Sequence, residues 1–153
     1  MNRGEPLLET TINVAVADAD IPDYLAGLLD SAYRARRKKP ATLDLLIAGD
    51  AEMARLNRRH LGKDHPTDVL AFDDGEEEEG RVRLGDVAIG ADTARRVAGE
   101  RDADFGHELA FYALHGLLHL LGMRDDTDGD RAAMHRAQAK AMRDFGIRLD
   151  GDW

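Results

Sequence analysis

The sequence predicts an α/β protein, a single domain over residues 1–153 with a small mixed β-sheet packed with helices. Three observations carry that reading. The chain has 153 residues and is 43% apolar, enough to bury one core. Short β-branched runs alternate with stretches of helical periodicity in the order βαβαββααα, as in α/β domains. No repeat, low-complexity linker or break in composition divides the chain.

Each element has a local reason. TINVAVA, residues 11–17, alternates and is β-branched, so it reads as the first strand. Asp18 or Asp20 caps a helix starting near Ile21 and Pro22, since proline suits a first helical turn. That helix runs to Lys39 and stops before Pro40, with its positive charges where the helix dipole favours them. TLDLLIA, 42–48, is the second strand. Gly49 and Asp50 turn into a helix over 51–61, stopped at Gly62. The segment KDHPTDVLAFDD is a loop leading into a strand over about 67–72. Residues 73–80 form an exposed acidic turn, and RVRLGDVAIG, 81–90, is the fourth strand. The short connection makes this pair an antiparallel hairpin. Asp92 caps a helix to about Gly99. A long apolar helix runs from about Asp104 to Leu121 and ends at Gly122. The last helix runs from about Asp128 to Phe145, closed by Gly146.

Composition removes several classes of function. There is no cysteine, so disulfide-linked partners, thiolate zinc sites and cysteine nucleophiles are out, and a reducing cytosol is compatible. No apolar run reaches the roughly 18–20 residues that span a bilayer. The N-terminal stretch lacks the hydrophobic centre of a signal peptide. A cytoplasmic location without membrane attachment is expected. Net charge is −9, unevenly spread. Arg34, Arg36, Arg37, Lys38 and Lys39 form one basic group; Arg55, Arg58, Arg59 and Lys63 form a second; the acid gathers at Asp73–Glu79. Such basic patches can bind nucleic acid locally on an acidic protein. Four Phe, three Tyr and one Trp offer no obvious platform for stacking bases, so recognition would lean on phosphates.

The chemistry centres on Leu114–Asp130, LHGLLHLLGMRDDTDGD. His115 and His119 are four apart, which puts both imidazoles on one helix face, one turn apart. Gly122 and then Asp125 follow at steps of three. Helix, glycine turn and returning carboxylate can surround one metal ion. Zinc suits two neutral imidazoles and a carboxylate with a fourth position left to water. The two histidines alone read equally as half-buried imidazoles hydrogen-bonded to backbone or carboxylates; the returning Asp125 tips the reading to metal. HxxxHxxGxxD is similar to the HExxHxxGxxH signature of zinc proteases. Gly116 stands where those enzymes keep the glutamate base, and it is expected to leave open space beside the metal.

HGLLHLLGMRD, LNRRHLGKDHPTDVLAF at 56–72 and LGDVAIG at 84–90 together resemble the YbeY family of bacterial zinc-dependent endoribonucleases. The resemblance spans roughly residues 40–145. It implies a zincin-like fold and one zinc per chain, held at His115, His119 and Asp125. It also implies cleavage of single-stranded RNA, the 3′ end of 16S rRNA above all, in ribosome assembly or quality control. RNA and the small ribosomal subunit are the implied partners. The chain departs from the family pattern in places. Asp125 replaces the usual histidine, a harder ligand that lowers the Lewis acidity of the metal. Asp126, adjacent, is the alternative ligand, though the spacing favours Asp125. Leu61 stands where family members often carry a functional arginine, so Arg58 or Arg59 is expected to supply that charge, Arg59 being the catalytic candidate. Ala71 replaces a usual serine.

Asp68 opens an apolar strand. It is either a carboxylate that orients a ligand imidazole or faces substrate, or a turn aspartate bound to its own backbone. Arg34, Arg36, Arg37, Lys38, Lys39, Arg58 and Lys63 are RNA-binding candidates, set against the reading of a solvated helix end. Glu108 reads as first-turn dipole stabilisation, and His60, His65 and His135 as surface residues. Two rival functions remain at this point. One is a metallopeptidase-like hydrolase; the other is a non-catalytic ribosome-assembly factor with structural zinc.

Overall fold

Strand β2 (Ala41–Ala48) shows how the sheet is used. Leu43, Leu45 and Ile47 are buried on one face, while Asp44 and Leu46 are half-buried on the other. Alternation of that kind puts a full apolar layer on one side and a partial one on the other. The computed structural model describes residues 5–149. Residues 1–4 and 150–153 of the expected 1–153 domain lie outside the described residues.

The remaining elements are β1 (Leu8–Ala15), α1 (Leu25–Arg34), α2 (Asp50–Leu61), β3 (Val69–Glu78), β4 (Arg81–Gly90), α3 (Ala91–Arg101), α4 (Phe105–Leu120) and α5 (Asp128–Asp144). This is the predicted order. The four strands form one mixed sheet in the order β1-β2-β4-β3. β1, β2 and β4 are parallel, and β3 runs antiparallel to β4 at the edge, as the hairpin predicts. On one face Leu43, Leu45, Ile47, Val87 and Ile89 join the main core with α1, α4 and α5. On the other face α2 covers a smaller cluster of Met53, Ala48, Leu70 and Ala88.

Four local expectations need correction. Helix α1 ends at Arg34, not Lys39. The Tyr33 hydroxyl donates to Lys39 O and the Arg37 guanidinium donates to Leu121 O at 2.8 Å, which holds the chain in a non-helical turn ahead of Pro40. The start is later too. Tyr24 takes the N-cap position without a side-chain cap, so neither Asp18 nor Asp20 serves. The acidic stretch is mostly strand: β3 extends to Glu78, and only Glu79 and Gly80 turn. Both have positive φ, 50° and 80°, as a two-residue type I′ hairpin turn requires. Ion pairs from Glu77 to Lys39 and from Asp74 to Arg83 make the acidic strand tolerable. Asp92 does not cap its own helix. It lies in the first turn of α3, and its carboxylate accepts from Asp50 N at 2.8 Å, capping α2 instead.

Helix α4 is apolar nearly all round and correspondingly buried. Asp104 caps it, accepting from His107 N at 3.0 Å. Gly116 is buried rather than open to the groove. A Cβ there would stand 2.5 Å from Val87 Cγ1 and 3.3 Å from Val69 Cγ2. The glycine allows the helix to lie close on β3 and β4, so the expected space beside the metal is absent at this position.

The Gly116→Ala variant is expected to lose about 1–3 kcal/mol of stability through overpacking. In urea unfolding, pairing it with Val87→Ala should cost less than the sum of the two single changes, because the removed methyls make room for the new one. Strict additivity would count against this contact.

Candidate metal centre

The site begins with how α4 stops. Met123 N donates to Leu118 O and Gly122 N to His119 O, each at 3.0 Å, and Gly122 has φ +95°. This is a Schellman ending, which a glycine accepts with little strain. The chain reverses there, and the next turn brings Asp125 back beside the helix. Asp125 Oδ2 lies 3.4 Å from His115 Nε2, and Oδ1 lies 3.4 Å from His119 Nε2. The two imidazole rings are 5.1 Å apart, centroid to centroid. One ligand atom from each of the three residues falls within 4.8 Å of the others.

The loop is held from outside. Arg131 donates to Asp125 O at 3.2 Å, and the Thr127 hydroxyl caps α5 by accepting from Asp130 N at 3.0 Å. Asp126 turns away and pairs with Arg124, which leaves Asp125 as the carboxylate of the cluster.

The donor set fits a zinc ion. Two ligands roughly 2.0–2.1 Å from a tetrahedral centre stand about 3.3–3.4 Å apart, close to both histidine–aspartate separations. Burial pushes the His115 imidazole below its ordinary value and the neighbouring His119 adds to this, against the pull of Asp125 and Asp68. A neutral imidazole offers the lone pair a metal needs. The side chains of His115, His119 and Asp125 are 25%, 38% and 36% exposed, so the cluster is reachable from solvent.

That solvent is a cavity of about 720 Å³ between the C-terminal end of α2, the outer edge of β3 and the triad. Lys63, an RNA-binding candidate, and Asp68 line it. Asp68 makes the backbone contact of its turn reading. Its carboxylate accepts from Val69 N at 2.8 Å, a turn contact, and its charge acts on His115 across the cavity. Leu61 also lines the cavity and is 56% exposed, so the position that departs from the family pattern faces the site. Arg59 is exposed in the last turn of α2, and Arg58 pairs with Asp64 at 3.1 Å. Of the basic run, Arg34 pairs with Asp30 at 3.0 Å and Lys39 with Glu77, while Arg36 and Lys38 are exposed. Arg37, through Leu121 O, ties the run to the end of α4 beside the triad.

Sequence reasoning missed two features. His60, expected as a bystander on the surface, lines the cavity together with Phe72. Their contact joins a helix end to a strand, so no local signal announces it. Glu108 is not a surface dipole partner: it is 1% exposed. Burial raises its carboxyl above the ordinary value, opposed by Arg101 at 3.8 Å and reinforced by Asp68. It stands four residues after Asp104, in the first turn of α4, and nothing local reveals what packs over it. His135 is half-buried, its ring edge-on to Phe111 at 5.9 Å.

Comparison with known proteins places the chain. The sequence model of the family described as Endoribonuclease YbeY matches residues 9–146. A relative from Chelativorans sp. described as Endoribonuclease YbeY is 38% identical over 147 residues, covering 90% of each chain. Another from Moorella thermoacetica, with the same description, is 36% identical over 155 residues, covering 92% of this chain and 99% of its own. The solution structure of TM1509 from Thermotoga maritima superposes with a TM-score of 0.61 at 19% identity, over 94% of this chain and all of that one, a likeness of fold.

Glu108 predicts a pH dependence with a definite sign. A carboxyl whose folded value lies above its unfolded one contributes stability at low pH that is lost as pH rises through the folded value. The stability of the parent relative to Glu108→Gln should therefore fall as pH rises above the ordinary carboxylate range. Parallel urea titrations read this directly, and a difference that stays flat with pH would contradict the buried carboxyl.

Proposed function

This chain belongs to the YbeY endoribonuclease family, and from that premise we propose that it is a zinc-dependent, single-strand-specific endoribonuclease of rRNA maturation. The proposed target is the 3′ end of 16S rRNA, on or near the small ribosomal subunit, in a cytoplasmic setting of ribosome assembly or quality control. The whole chain, 1–153, acts as one unit in this reading. The observation that carries it is the convergence of His115, His119 and Asp125 on one point of an open cavity.

His115, His119 and Asp125 would hold the ion. A zinc ion bound there supplies a Lewis acid that acidifies water and polarises a phosphate oxygen. The chain does the rest by position and charge. The Asp68 carboxylate acts electrostatically on His115 and would steady the imidazole as a ligand. Lys63 offsets phosphate charge inside the cavity, with Arg59 as the further candidate from the same helix end. Arg34, Arg36, Arg37, Lys38, Lys39 and Arg58 are proposed to guide the RNA backbone toward the triad, by contacts that need no sequence reading. The link from Arg37 to the end of α4 supports this path.

Both rival functions lose support from particular residues. A peptidase of the HExxH type needs a glutamate at position 116, and Val87 fills that space. A structural zinc is ordinarily enclosed by four protein ligands, whereas these three side chains are each at least a quarter exposed and border a cavity.

Freshly purified protein should carry about one zinc per chain, and His119→Ala or Asp125→Ala should lose or loosen it. The zinc-loaded parent should cut single-stranded RNA and spare duplex, with His119→Ala, purified in parallel, inactive. Absence of tight zinc uptake would remove the metal reading, and equal nuclease activity in His119→Ala would mark a contaminant. The Leu61→Arg variant, which adds a guanidinium to the cavity wall, should raise kcat/KM on RNA by about tenfold at low salt. An unchanged value would show that position 61 does not reach the phosphates.

A further inference from the structure

The metal cavity does not end at the edge of the sheet. His60, at the end of α2, and Phe72, on β3, stack with ring centroids 4.4 Å apart and planes tilted by 45°. Both rings line the metal cavity, and both also line a second cavity of about 420 Å³ on the sheet face that α2 covers only in part. That volume falls in the range of small-ligand sites. The aromatic pair is thus a wall common to the two spaces.

The second cavity has an apolar floor, Leu46 and Ala88, and a rim of Asn13, Asp44 and Asp86. Asp44 faces Asp86 across the β2–β4 ladder, and Phe72 faces Asp86 across β3–β4. Arg83 donates to Asp44 at 2.8 Å and to Asp86 at 3.1 Å, and it also pairs with Asp74. One guanidinium among three carboxylates leaves the rim negative and rich in acceptors, since each carboxylate has about four lone-pair sites. A phosphate is repelled there, while a planar group with N–H donors is favoured. Gly85 fixes the wall: with φ +144°, it lets Phe72 O approach to 2.0 Å of where a Cβ would stand.

We propose that this second cavity is a nucleobase subsite, in which a base next to the cleaved bond stacks on His60 and Phe72 and donates its N–H groups to Asp44 and Asp86. The inference rests on the proposed cleavage of RNA. Unstacked bases of single strands lie on aromatic faces in this way. The carboxylates rank the bases. Guanine presents two parallel N–H donors to one carboxylate. Cytosine and adenine each present an amino group. Uracil presents one imino N–H between two carbonyl acceptors, which carboxylates disfavour. Seating the base also fixes which phosphate reaches the triad.

The test uses the zinc-loaded full chain and a 12-nucleotide single-stranded RNA randomised at every position, with the product ends sequenced. Guanine should be enriched over uracil at one position beside the cut, on the order of tenfold. His60→Ala, Asp86→Asn and Phe72→Leu should each pull that enrichment toward unity while zinc stays at about one per chain. Phe72→Leu keeps an apolar side chain against the α2 cluster, and His60 is exposed, so these variants retain the fold. Cleavage that depends on His119 but shows no base enrichment, or enrichment unchanged in all three variants, overturns the subsite and leaves the nuclease reading standing. If the loaded protein cuts no RNA, titration with guanosine and with uridine decides. Saturable NMR shifts of the His60 ring with guanosine, absent in Asp86→Asn, keep the subsite after the nuclease reading has fallen; no such shifts overturn it.

Discussion

The close approach of α4 to strands β3 and β4 at Gly116 is the contact on which the rest of the structure depends. A helix that buries residues on nearly every side has little freedom to rotate or slide. Gly116 sets its distance from the sheet, because Val87 and Val69 occupy the space a side chain would need. His115 precedes that contact by one residue and His119 follows it by three, so the same packing fixes both imidazoles against the outer edge of β3. The two imidazoles are therefore positioned by apolar packing, while Asp125 is placed by the hydrogen bonds of its loop. That suits a metal site, whose ligands must keep free lone pairs.

Much of this was legible in the sequence because its causes are local. The order of elements follows from alternating and helical periodicities, and the triad from spacing: four residues between histidines, then a glycine with positive φ, then the returning Asp125. The Schellman ending at Gly122 and the cap at Asp104 are likewise written in a few adjacent residues. The misreadings share the opposite cause. Asp92 caps a helix forty-odd residues earlier in the chain. The acidic strand is stable because Lys39 and Arg83 meet it from elsewhere. Glu108 looks like any first-turn glutamate until the chain packs over it. Local pattern reports what a residue prefers, and the fold decides which distant partner overrides that preference.

Gly116 separates the two kinds of information most clearly. Read as a motif position, it is a missing base beside a metal. Read in the structure, it is a packing residue that faces the sheet. The two descriptions are compatible, but only the second explains why a larger residue is excluded. It also bears on chemistry: with the protease base position closed, proton transfer falls to groups around the cavity, where Asp68 is the carboxylate outside the triad whose charge acts on His115.

The charge distribution completes the argument. A protein of net charge −9 approaches RNA unfavourably as a whole. Positive groups are therefore useful only where they stand close to the path, within about one Debye length of 8–10 Å. Lys63 lines the cavity, and the basic turn after α1 is bonded through Arg37 to the carbonyl at the end of α4. Helix α1 unwinds at Arg34, and the turn after it is held by the Tyr33 hydroxyl on Lys39 O and by Arg37 on the end of α4. The strand edge opposite carries the acid, at Asp73, Asp74 and Glu76–Glu78. Under the proposed function, this uneven charge would draw an RNA backbone toward the basic side and hold it off the acidic strand.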